Sequence, residues 1–288
     1  MRTDGTEEYY KHSGICPPKG LIAGLFVGAL VSAWASFFYA YADLYNPLVY
    51  FNSILCFACG LLAGAAALVG LNWGKVRNNW ATLAVTGFSG FMALYFSWAI
   101  WAAAFLSRAG VDTDSFSLAW HPTTMWGVML KINKAGAWSL SGPPVSGFEL
   151  WIAWFGEAFF MIAAATLCGY LAVDAPFCER CKQWCLPEKS IGHVASGDSD
   201  EISRRLKAKD FAYLETLGRA KPGAKAWLVI ELKTCPSCRI MHALTVHAVT
   251  ERKDEKPKKI VIGLLIDDAD AVVIRNAAGT LGASPGAS

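Results

Sequence analysis

The sequence predicts a two-part fold: an all-α membrane bundle of four helices, followed by a small soluble α+β domain. Three observations predict it. The first is composition: of 288 residues, 54% are hydrophobic and 17% charged, against roughly 45–50% and 25% in an average soluble chain, and the mean hydropathy is +0.34. The second is four long apolar stretches. The third is a break in charge: residues 1–173 carry 8 Lys+Arg and 8 Asp+Glu, whereas 174–288 carry 18 and 15. A disordered chain would be poor in apolar residues and rich in charge, so that class is excluded. The basic excess is small and mixed with acidic residues, which argues against a nucleic-acid partner.

The apolar stretches cover residues 20–41, 48–71, 81–106 and 150–173. A bilayer core needs about 20 residues at about 1.5 Å each, so each is long enough to cross. The first three hold no charged residue and have no polar face to offer water. The first is too long in its core, and too closely followed by others, to read as a cleavable signal peptide. This gives a cytoplasmic N-terminal segment at 1–19, a four-span domain at 20–173 with an outer connection at 107–149, a soluble domain at 174–276 and a flexible tail at 277–288.

Lys and Arg near span ends set the expected orientation. Arg2, Lys11 and Lys19 precede the first span, Lys75 and Arg77 join the second to the third, and Arg180, Lys182 and Lys189 follow the fourth. The turn at 42–47 has none. Both termini are therefore expected in the cytoplasm, although Arg108, Lys131 and Lys134 then lie outside.

Gly20, Gly24, Gly28 and Ser32 repeat every four residues along one face of the first span, and Gly60 and Gly64 do so in the second. Small residues at this spacing let helix backbones approach closely. They serve packing within the chain or contact with a membrane partner or a second copy. Glu157 is the one acidic residue well inside an expected span. An ionised carboxylate there costs several kcal/mol unless it faces the bundle, so it marks either an ion, proton or ligand site or a structural hydrogen bond to Asn52, Ser53, Ser89 or Ser97. Cys56 and Cys59 share a face of the second span and read as small buried apolar residues. In the outer connection, His121-Pro122-Thr123-Thr124 signals the start of a short interfacial helix, with Thr as its cap.

The soluble part is read from its cysteines. Cys178-x2-Cys181 is followed, with 53 residues between, by Cys235-x2-Cys238. Two short-spaced pairs supply four thiolates, the donor set of a closed tetrahedral Zn²⁺ site. These pairs resemble zinc-ribbon or treble-clef knuckles, a resemblance confined to the four cysteines. It implies a structural zinc. Cys185 is a possible alternative ligand. Two other readings stay open: a thioredoxin-like redox motif at Cys235-Pro236-Ser237-Cys238, and a mixed site using His242 or His247. Around the pairs, strands are expected at 227–232, 244–249 and 260–266, and Asp198 to Glu201 has the form of a capping box.

No phosphate loop, dinucleotide fingerprint, nucleophile elbow or zinc-protease motif appears. A closed four-thiolate site leaves no coordination position for chemistry. The sequence therefore points to a non-enzymatic membrane protein, an accessory or scaffold subunit whose cytoplasmic zinc domain mediates protein interaction. The alternatives are a transporter or channel subunit using Glu157, and a membrane thiol oxidoreductase using Cys235 and Cys238.

Overall fold

The computed structural model describes residues 9–46, 49–138, 143–172, 175–188, 193–218, 220, 224–251 and 257–281. The chain divides into two compact units. One is Ser13–Val173, and the other combines Met1–His12 with Asp174–Ser288.

The helical unit begins with α1, Pro18–Tyr45, which has Pro at its first turn, where a missing N–H costs nothing. It stops at Asn46, the residue before Pro47, where helical backbone is disfavoured. Helix α2 is Val49–Trp73. Helix α3, Asn79–Arg108, is capped by Asn78, whose side chain accepts from the Ala81 N–H. Short α4, Ser115–Trp120, is capped by Asp114. Helix α5, Pro122–Ala135, follows His121, which makes no side-chain cap bond. The expected Thr cap is therefore not used, because Pro122 already occupies the first turn. Helix α6 is Gly147–Ala172.

Among the described residues, α1, α2, α3 and α6 are long and apolar enough to cross a membrane. They also carry large apolar side chains facing outward, such as Phe26, Trp34, Phe38 and Phe159. Such a surface has no counterpart on a water-soluble bundle and suits a hydrocarbon solvent. The helices meet through small residues. The faces of Gly20, Gly24, Gly28 and Ser32 are buried, and a Cβ at Gly24 would come within 2.7 Å of Leu71. On α2, Gly60 and Gly64 lie directly against the backbone carbonyls of Met161 and Ala165 in α6. Both ladders are thus occupied by packing inside this chain. Met125, Met129 and Ile132 of α5 are buried among Trp101, Leu150 and Trp154, so α5 packs onto the bundle.

The other unit is an antiparallel sheet with helices. A hairpin of β1, Phe177–Cys178, and β2, Gln183–Trp184, comes first. Next come β3, Leu186–Pro187, β4, His193–Ala195, α7, Ser199–Lys207, and α8, Tyr213–Leu217. Strands β5, Ala226–Thr234, β6, His242–Thr250, and β7, Lys258–Ile266, form a meander. Strands β3 and β4 both pair with the free edge of β5. Helix α9, Asp268–Leu281, closes the unit. Its first turn is held by the Asp267 side chain, which accepts from the Asp270 N–H. The helix thus runs past Ala277, where a loose tail was expected to begin.

Leu228, Ile230 and Leu232 alternate into the core of β5, the period of a strand with one buried face. They pack with Ile202, Leu206, Leu214 and Ile274 from the three helices. Asp198 caps α7 by accepting from the Asp200 N–H.

Tyr9 bridges Leu264 on β7, and the Tyr10 N–H donates to the Gly263 carbonyl at 2.8 Å. The Phe177 N–H donates to the Tyr10 hydroxyl at 3.0 Å. Tyr9 and Tyr10, within the N-terminal segment expected at 1–19, thus lie along β7, whose edge would otherwise leave backbone groups unpaired.

Candidate functional site

The two cysteine pairs occupy two hairpin turns of the same design. One turn links β1 to β2, and the other links β5 to β6. In each, the residue after the second cysteine adopts left-handed backbone, Lys182 at φ 53° and Arg239 at φ 54°. That conformation costs a non-glycine residue about 1–3 kcal/mol and persists only where surroundings impose it. Backbone amides then point at sulfur. The Cys181 N–H serves Cys178, and the Ile240 and Met241 N–H groups serve Cys238. The turns are tied to each other by the Ser237 hydroxyl, which donates to Gln183 Oε1 at 2.7 Å.

The result is one cluster. The Sγ atoms of Cys178, Cys181, Cys235 and Cys238 all lie within 4.8 Å of one another. Cys178 and Cys238 are 3.8 Å apart. A tetrahedral ion held about 2.3 Å from each sulfur needs sulfurs about 3.8 Å apart. The cluster therefore has the size and donor set of a closed four-coordinate metal centre.

Its charges behave accordingly. Amides from Ile240 and Met241 hold the Cys238 thiol below the usual range. Cys181 is pushed up, chiefly because its S–H serves Cys238, and burial pushes Cys178 up. A divalent cation would favour thiolate at all four ligands.

Cys185 is buried against Cys178 and Cys235, but it lies outside the four mutually close sulfurs. Its thiol is pushed up to about 12 by burial, which suits a packing role. Neither His242 nor His247 belongs to the cluster. His242 is fully buried, with Nδ1 2.8 Å from the Thr234 hydroxyl and Nε2 3.3 Å from Asp268 Oδ1. Thr234 donates in turn to Glu188, which receives a two-pronged bond from Arg275. This network joins β5 and β6 to α9, and the burial of His242 denies it to any solute. The chain after Cys238 enters β6 and not a helix, so the helix N-terminus that lowers a redox thiol's pKa is missing there.

A second site lies in the helical unit. Glu157 on α6 accepts from the Tyr39 hydroxyl at 2.8 Å and from the Trp98 indole at 3.2 Å. These partners replace the Asn and Ser side chains expected from the sequence. Cys56 donates to the Glu157 backbone carbonyl at 3.1 Å. Glu157 lines a cavity of about 690 Å³. A second carboxylate lines it too. Asp43, expected in a turn, belongs to α1 and accepts from Asn52 and from the Trp101 indole. The signal that places it was present: Asn46-Pro47, and not the last apolar residue, ends the helix.

Comparisons with protein families, with curated proteins and with solved structures give no match. The sites are therefore read from their own geometry.

Proposed function

We propose that this chain is an integral membrane protein whose soluble unit is clipped by a structural Zn²⁺ at Cys178, Cys181, Cys235 and Cys238. In this reading it works as a non-enzymatic accessory or scaffold subunit. The unit formed by both chain ends faces the cytoplasm and mediates protein interaction there. The observation that carries it is the closed set of four sulfurs within 4.8 Å. All-thiolate donors suit Zn²⁺ among common divalent ions, and a filled tetrahedron leaves no position for substrate. The reducing cytoplasm keeps such thiols free of disulfides, and the Lys and Arg of the short loops favour that face.

Two measurements test it. Elemental analysis of protein purified in detergent should give one zinc per chain, and Cys178→Ser together with Cys235→Ser should abolish it. A zinc-free preparation with a reversibly forming Cys235–Cys238 disulfide would instead select the oxidoreductase. Purification from native membranes should return the chain with a partner protein, and recovery as a lone monomer would remove the scaffold role.

Glu157 in a cavity favours a second reading, in which the bundle is a transporter or channel subunit. Solute flux in proteoliposomes that disappears in Glu157→Gln would establish it.

A further inference from the structure

The cavity in the helical unit combines features that the metal-clip reading does not use. Two carboxylates, Asp43 and Glu157, face it, together with one guanidinium, Arg108, among the described residues. Arg108 is engaged elsewhere: its guanidinium lies 4.2 Å over the Tyr45 ring and donates to the Leu44 carbonyl at 3.2 Å. The hydrogen bonds on the two carboxylates come from uncharged donors, Tyr39 and Trp98 on Glu157, and Asn52 and Trp101 on Asp43. Such donors orient a carboxylate but supply no opposite charge. A carboxylate offers about four acceptor positions, so Glu157, with two donors, still has acceptor capacity toward the cavity.

The walls are aromatic. Trp98, Trp101, Trp138, Trp154 and Phe160 line the same space, and Trp98 lies 6.1 Å from Trp154 between ring centroids. Ring faces attract a cation within about 6 Å. A volume of about 690 Å³ falls inside the range of about 300–1,000 Å³ found for small-molecule sites. It is far larger than a desolvated metal ion. Two carboxylates are also fewer than the three protein ligands that a metal centre usually draws on.

We propose that this cavity binds an organic ammonium ion, with Glu157 and Asp43 as counter-charges and the tryptophan rings as walls. The charge of the ligand satisfies the carboxylates, and its alkyl groups replace water against the rings. The chemistry fits either a soluble amine or the ammonium headgroup of phosphatidylethanolamine. The proposal shares Glu157 with the transport reading but concerns binding alone: binding without flux upholds the site and removes transport.

The full chain in phosphatidylglycerol nanodiscs provides the test, with n-butylammonium as probe and 1-butanol as its uncharged counterpart. Calorimetric titration should show saturable binding of the amine and at least a ~10-fold preference over the alcohol, since uncompensated charge is worth more than shape here. Glu157→Gln should weaken amine binding by ~10-fold or more, and Asp43→Asn, read separately in case the first variant fails to fold, should weaken it less. Adding phosphatidylethanolamine to the discs separates the two sources. Competition names the lipid headgroup as occupant, and unchanged binding names a soluble amine. Equal binding of amine and alcohol, no binding of either, or full amine binding in both folded variants would overturn the proposal.

Discussion

The two units of this chain solve the problem of burial in opposite ways. The helical unit is held by backbone proximity. Gly60 and Gly64 touch carbonyls of α6, and Ser32 and Ser36 donate across to Ser89 and Ala93 carbonyls at 2.9 and 2.7 Å. Many of its large apolar residues, Phe26, Trp34 and Phe159 among them, point outward, toward a solvent as greasy as themselves. The sheet unit puts Leu228, Ile230, Leu244 and Ile202 inside and leaves its cysteines at the far end of two hairpins. The buried cluster at that end is small, Cys178, Cys185 and Cys235, with Phe177 beside it. The difference sets what each unit should be sensitive to: one to added volume, the other, on the proposed reading, to loss of the metal.

The largest effect should come from metal removal. A four-thiolate zinc site is worth about 10–16 kcal/mol in apparent binding energy. In the proposed zinc-bound state that energy would hold the β1–β2 hairpin and the turn at 235–241, whereas the sheet has a separate core. Chelation of the purified full chain should therefore raise hydrogen exchange of the Cys185, Cys235 and Arg239 amides by ~100-fold or more. Amides of Ile230 and Val246 should change far less, and those of α2 and α6 not at all. Uniform exchange across the sheet unit would mean that the metal supports the whole fold and not one end of it.

A volume change sharpens the other half of the contrast. Gly64→Leu places a side chain against the Ala165 backbone, and that contact has nothing flexible to yield. Overpacking of this kind costs about 1–3 kcal/mol, which should lower the thermal midpoint of the detergent-solubilised protein and leave zinc content intact. Gly127→Ala in α5 is the control. No atom lies within 4 Å of its new Cβ, so it should be neutral or stabilise by up to ~1 kcal/mol through helix propensity.

Much of this contrast is legible in the sequence, because it rests on local pattern. Length and hydropathy place the four long helices, the x2 spacing pairs Cys178 with Cys181 and Cys235 with Cys238, and alternation places β5. What is not legible comes from contacts distant in sequence. Nothing near Tyr9 announces that it will edge β7, since one residue in extended backbone carries no period. Asp43 escaped because the apolar run ends at Tyr41 while helical hydrogen bonding continues to Asn46. The partners of Glu157 are a tyrosine and a tryptophan and not the Asn and Ser of the spans, and the apolar bodies of these residues disguise a donor. Helix α9 is hard to read from sequence because its start, Asp267-Asp268, also fits the end of a strand.

The smallest effect tests the seam between the sheet and α9. Arg275 donates to both oxygens of Glu188, at 2.9 and 2.7 Å, and both side chains are about a third exposed or less. This bond, more than the added one from Thr234, holds the Glu188 carboxyl below its ordinary value of 4.5. A folded-state pKa below the unfolded one gives stability that is present above the unfolded value and fades as pH falls through the folded value. Solvent screening limits a partly exposed pair of this kind to about 1 kcal/mol. Glu188→Gln should thus accelerate exchange of the β5 and α9 amides by up to ~5-fold at neutral pH, and the gap from wild type should close on acidification below the ordinary glutamate range. A gap that persists undiminished in acid would show that Glu188 acts through shape and its hydrogen bond to Thr234. Charge would then have no part in joining α9 to the sheet.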